Sequence, residues 1–124
     1  MASMSVENMA FAMPGGESCG PSRARPIDLS HLSRQTMGDR DLEREVLTLF
    51  LNQARIVDDR MDAATLPERV MLAHGLKGSA RSIGAFRVAD IADAVEHDPA
   101  GGDNLQRLAA ALADVRDFVS SITR

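Results

Sequence analysis

The sequence predicts an all-α protein: an antiparallel four-helix bundle with a short N-terminal helix. Apolar residues recur every three or four positions through four long segments. Aromatic residues make up only 3%, with no Trp and no Tyr, whereas the strands of sandwiches and barrels draw on aromatic and β-branched side chains. The stretches between periodic segments are short and hold Gly, Pro and capping residues, which suits antiparallel neighbours.

Residues 1–25 carry Pro14, Gly15, Gly16, Gly20 and Pro21 without a helical or strand period, so a flexible leader is expected there. Met9, Phe11 and Met13 offer at most a short amphipathic peptide, and plain disorder is the simpler reading. The bundle is expected over 26–124. A first helix near 28–36 is capped by Asp28 and ends before Gly38. The second spans roughly 39–63, with Leu42, Val46, Phe50, Ala54, Val57 and Met61 as its stripe and Leu47 and Leu51 widening it. Asp39, Asp41, Glu43 and Glu45 crowd its first turns, where the helix dipole favours anions.

Thr65 stands three residues before Glu68, the spacing of a capping box, and Pro67 suits a first turn. The third helix therefore starts here, buries Leu72, Leu76, Ala80 and Ile83, and stops at Gly84. A fourth helix covers about 85–97 on Val88, Ile91, Ala92 and Val95. Asp98-Pro99-Ala100-Gly101-Gly102 forms a turn, and a fifth helix starts at Asp103 or Asn104 and runs to about 122. Its inward seam is Leu105, Leu108, Ala109, Leu112, Val115, Val119 and Ile122.

Composition narrows the function. The 124 residues are 44% hydrophobic and 26% charged, which suits one soluble domain. A net charge of −4 gives no bulk electrostatic grip on nucleic acid, and the scarcity of rings excludes a base-stacking platform. The one cysteine, Cys19, excludes an internal disulfide framework. No apolar run approaches the ~20 residues that span a bilayer, and the N-terminus lacks the pattern of a secretion signal. The expectation is a cytoplasmic protein with no nucleic-acid or membrane partner. A monomer is expected too, because one bundle consumes all four stripes.

The third helix breaks the packing logic. At ~100° per residue, His74, Lys77, Gly78 and Arg81 share the face opposite Leu72, Leu76 and Ile83, so His74 should meet solvent. Gly78 sits mid-helix at a cost of ~1 kcal/mol relative to Ala, and Gly75 adds a second such cost. A glycine one turn after an exposed histidine lets another protein approach the imidazole. Lys77 is the only lysine among 14 basic residues, and three residues from His74 its ammonium reaches the space above the ring. A neutral imidazole nitrogen can attack a phosphoryl group while an ammonium neutralises the phosphoryl oxygens.

His74-Gly75-Leu76-Lys77-Gly78-Ser79, with Ala73 before it and Gly84-Ala85 after it, resembles the signature of the histidine-containing phosphotransfer (HPt) family of two-component phosphorelays. The run Phe86, Val88, Ile91, Ala92, Val95 and Glu96 and the upstream Leu47-Thr48-Leu49-Phe50-Leu51 extend the similarity over about residues 26–122. The resemblance implies a four-helix bundle whose phosphoacceptor is His74. Lys77 would bind the phosphoryl oxygens, and Gly78 would leave room for the partner. The implied partners are receiver domains of response regulators or hybrid histidine kinases, which exchange phosphate between their aspartate and His74. The implied chain has no nucleotide site and binds no cofactor, because the receiver supplies the acidic pocket and Mg²⁺. Ala80 stands where the family often has serine. Arg81 adds a cation on the same face, and Met71, with Val70, lies close in angle to His74. Arg81 and Met71 are thus candidates for touching phosphate or partner.

Two rival readings remain open on the residues alone. One is a helical interaction module that binds a signalling partner without phosphate. The other is a metal-dependent helical hydrolase, disfavoured because His31, His74 and His97 come from three separate elements without the i, i+3 or i+4 pairing of helical metal sites, so no metal ligand is assigned. His97 near a helix C-terminus is accounted for by the dipole. Asp58, Asp59 and Asp62 read as a solvated helix face.

Overall fold

The computed structural model describes residues 25–123. Five helices follow in order: α1 (Leu29–Gln35), α2 (Arg40–Met61), α3 (Leu66–Ile83), α4 (Phe86–His97) and α5 (Gly102–Ile122), with no strand among the described residues. The expected leader, with Cys19 and the Met9–Met13 stretch, lies outside the described residues apart from Arg25. Around the bundle α2 packs on α3, α3 on α4, α4 on α5 and α5 on α2, while α1 lies against α3.

Local chemistry sets the boundaries. Asp28 accepts from the backbone N–H of His31, and Asp39 accepts from those of Asp41 and Leu42. The Thr65 hydroxyl accepts from the Glu68 amide at 3.3 Å while the Glu68 carboxylate accepts from the Thr65 amide at 2.9 Å, which closes the predicted capping box. Arg69, which the sequence did not single out, donates to the carbonyls of Met61, Asp62 and Pro99, each at 2.9 Å. It thereby satisfies the open end of α2 and ties it to the α4–α5 turn. The fifth helix starts at Gly102, ahead of the expected Asp103 or Asn104, with Gly101 as a cap that makes no side-chain bond.

Ile27, Leu32, Leu76, Val88, Val95, Leu112 and Val115 are the largest fully buried side chains. Three residues expected in the core are not there. Leu42 and Ile122 are exposed at 36% and 42%, and Ala109 also faces solvent. The buried face of α2 is Leu47, Phe50, Ala54, Val57 and Met61. A stripe of i+4 steps drifts ~40° per step, so Leu42 has rotated about 80° away from Phe50. Ile122 belongs to the last turn of α5.

Gly84 ends α3 in the left-handed region with φ 88°, and its carbonyl accepts from the Asp28 amide at 2.9 Å. A Cβ at this position would lie 2.8 Å from the Asp28 carbonyl oxygen. Gly84→Ala therefore meets both the left-handed penalty of ~1–2 kcal/mol and a backbone clash. The expected result is a thermal midpoint lower by roughly 10 °C. A midpoint unchanged in calorimetry would show that this junction is not a fixed point of the fold.

Candidate functional site

Small residues bring the helices that build the site close together. Ala73 and Ala80 of α3, Ala85 at the junction and Ala89 and Ala92 of α4 are all buried at their shared interface. Without bulky side chains between them, the two backbones approach until short acidic side chains on α4 reach across. The helices run antiparallel, so Lys77 meets Asp93 while His74, one turn earlier on α3, meets Glu96.

His74 projects outward with its side chain 69% exposed. Its Nδ1 lies 3.0 Å from Oε2 of Glu96. The other oxygen of that carboxylate lies 2.7 Å from Nζ of Lys77, and Lys77 also donates to Oδ1 of Asp93 at 3.1 Å. One carboxylate thus bridges the imidazole and the ammonium. Lys77 is held against α4, only 14% exposed, rather than standing free above the ring.

The electrostatics follow from this bridge. The carboxylates of Glu96 and then Asp93, which accept from the Lys77 ammonium, raise its pKa above the ordinary value of 10.5. The bond from Lys77, helped by His74, holds the Glu96 carboxyl below its ordinary 4.5. Glu96 is therefore an ionised acceptor near neutral pH, and an acceptor-only carboxylate requires Nδ1 of His74 to donate. In the neutral ring the lone pair then sits on Nε2, directed away from Glu96.

Around this centre the surface is open. A Cβ on Gly78 would meet nothing within 4 Å, and one on Gly75 would meet only Nε2 of Gln53 at 3.7 Å, an ordinary contact. Packing requires neither glycine. Arg81 is exposed and makes no ion pair among the described residues. Met71 is 74% exposed and lines a shallow cavity with Asp59, Arg60 and Leu72, while Val70 is half-buried. Leu49 and Ile56 are also exposed, and 100° spacing puts them on the same side of α2 as Gln53, which faces Gly75. An apolar strip on α2 therefore flanks the His74 face, and the sequence reading did not foresee it.

The family model for the Hpt domain matches residues 44–118. The chain belongs to the Hpt domain family. No curated protein and no solved structure matches the chain. The matched span holds His74, Lys77, Gly78, Asp93 and Glu96, whereas α1 precedes it. Hpt domains carry phosphoryl groups on histidine in two-component phosphorelays, as carriers without an ATP site, and work with receiver domains and kinases.

The remaining predicted residues fall elsewhere. His31 stacks edge-on to Phe86 with ring centroids 5.0 Å apart, a packing role at the α1–α4 junction. His97 places Nδ1 2.8 Å from the Asp93 carbonyl of its own helix. No group of three His, Cys, Asp or Glu is placed to hold a metal ion among the described residues, and none of the described helices is long and apolar enough to cross a membrane. Asp93 and Glu96 are the residues that sequence reasoning missed as participants. Their signal was two carboxylates at i, i+3 spacing on the helix after the lone lysine.

Proposed function

We propose that this Hpt domain accepts a phosphoryl group on Nε2 of His74 from the phosphoaspartate of a receiver domain and returns it to the same or another receiver. The observation that carries the reading is the Glu96 carboxylate, which bridges Nδ1 of His74 and Nζ of Lys77. The Nε2 lone pair forms the new N–P bond. The P–O bond to the receiver aspartate breaks, and its electron pair stays on that carboxylate. Nδ1 keeps its proton throughout, so the phosphorylated ring is cationic, and Glu96 stabilises that charge. A cationic ring is also the better leaving group for the return transfer. Lys77, one turn after His74 on α3 and paired with the same carboxylate, turns its ammonium to the phosphoryl oxygens when they arrive.

The partner supplies the rest: an acidic pocket and the Mg²⁺ that belongs to the receiver. Met71, Leu49 and Ile56 give the receiver an apolar surface beside His74, and Arg81 gives it a cation. A patch of this size suits transient docking rather than a permanent complex. The protein is itself the substrate in this reading and turns over nothing. A cytoplasmic location and a monomeric state accord with it.

The test is transfer from a phosphorylated receiver domain with Mg²⁺. Acid-labile, base-stable phosphate should appear on the chain. A folded chain that takes no label from a broad panel of receivers would replace this reading with a phosphate-independent binding module.

Gly78 separates docking from chemistry. Gly78→Ala should raise stability by up to ~1 kcal/mol, because the site has room and the helix prefers alanine. Gly78→Gln keeps the helix but fills the approach path. Transfer from a receiver should then fall roughly ten- to hundredfold, while labelling by a small phosphoramidate stays at the wild-type rate. Equal losses with both donors would place the defect in the imidazole rather than in access.

A further inference from the structure

We infer that Asp93 is a positioning residue that competes with the phosphoryl group for the Lys77 ammonium, and so sets how strongly the chain holds phosphate relative to its receiver; this rests on the phosphotransfer reading above. Lys77 forms an ion pair with Glu96 at 2.7 Å and donates a hydrogen bond to Asp93 at 3.1 Å. The two carboxylates differ in what else they hold. Glu96 also binds His74, so the Lys77–Glu96 bond lies in the bridge that orders the ring. Asp93 has no bond to His74 and is 42% exposed at the solvent edge of the network, one turn further from the imidazole. Its carboxylate holds the Lys77 ammonium on α4 one turn from the residue that binds His74.

A phosphoryl group on Nε2 carries negative oxygens on the side of the ring opposite Glu96. Lys77 reaches them by giving up Asp93 and keeping Glu96. The Asp93 contact is therefore lost when the phosphorylated state forms, and its strength subtracts from the stability of that state. The chain's only lysine is shared between a structural anion and a transient one.

The measurement is the equilibrium partition of phosphate between the full chain and a phosphorylatable receiver domain. An equilibrium constant between free species does not depend on how well the two dock, so a docking role for Asp93 would not move it. Asp93→Asn removes the competing charge and should shift the partition toward His74 by roughly two- to fivefold, the range of a partly exposed ion pair. Lys77→Met should shift it the other way. In the Lys77→Met background, Asp93→Asn should change nothing, because the aspartate acts through the lysine. A shift that persists without Lys77 would mean direct repulsion between Asp93 and the phosphoryl group and would overturn the inference, as would an unchanged or reversed partition in the single variant. Wild-type chain that takes no phosphate at all sinks the phosphotransfer reading itself, a distinct outcome.

Discussion

His74→Gln should leave the chain folded and unable to carry phosphate. The side chain is 69% exposed and takes no part in the core, so the substitution should change stability by less than about 0.5 kcal/mol. Glutamine also keeps a donor toward Glu96, since its amide NH₂ can occupy the place of Nδ1–H. Only the nucleophile is removed. An amide nitrogen has its lone pair delocalised into the carbonyl and does not attack phosphorus. The loss should therefore be complete rather than graded, in contrast to any change at Lys77 or Gly78. Label from a phosphorylated receiver, followed by intact mass under base and its loss under acid, decides the matter. Residual label on the variant would move the acceptor elsewhere. His97 is the nearest alternative by its contact with Asp93, but its Nδ1 faces the carbonyl of its own helix at 2.8 Å and the Asp93 carboxylate at 3.6 Å. His31 lies against Phe86.

Features that depend on neighbours in sequence were legible before the structure. Thr65 and Glu68 announced the start of α3, and Gly84 its end, because a cap is a bond between residues three or four apart. His74, Lys77, Gly78 and Arg81 could be placed on one face of one helix by angle alone. Features that depend on the register between helices were not. Whether Lys77 stands over the imidazole or leans onto α4 depends on which α4 residues arrive opposite it. That register is set by the alanines of the α3–α4 interface and by the two-residue junction at Gly84 and Ala85. Glu96 was visible as part of a family-like run, but its bridging role needed the third dimension. The exposed strip of Leu49 and Ile56 was missed for a related reason. Apolar spacing on α2 supports two overlapping stripes about 120° apart, and only packing against α3 and α5 shows which one is buried.

Glu96 should matter next after His74, and two substitutions separate its two effects. Glu96→Ala removes the acceptor from Nδ1, so the ring can place its proton on either nitrogen and rotate. It also takes from Lys77 the shorter of its two carboxylate contacts, at 2.7 Å. Transfer from a receiver should fall roughly 10–100-fold, the usual loss when the partner that orients a functional histidine is deleted. Glu96→Gln keeps a carbonyl acceptor for Nδ1–H but loses the charge, so it should recover part of the rate. The recovered part measures ring orientation, and the rest measures stabilisation of the cationic phosphorylated ring. If alanine and glutamine are equally impaired, charge alone matters; if both transfer at the wild-type rate, the bridge has no part in the reaction. The same carboxylate leaves a signature in stability. Its folded value lies below 4.5, so its contribution is present above that pH and is lost as acid protonates it. Lys77 lies above 10.5 when folded, so its contribution is present below that pH and is lost as base titrates it. The melting difference between wild type and Glu96→Gln should therefore hold steady across neutral pH and vanish in acid below the ordinary carboxylate range. A difference that persists there would come from packing, because no charged bridge would remain to supply it.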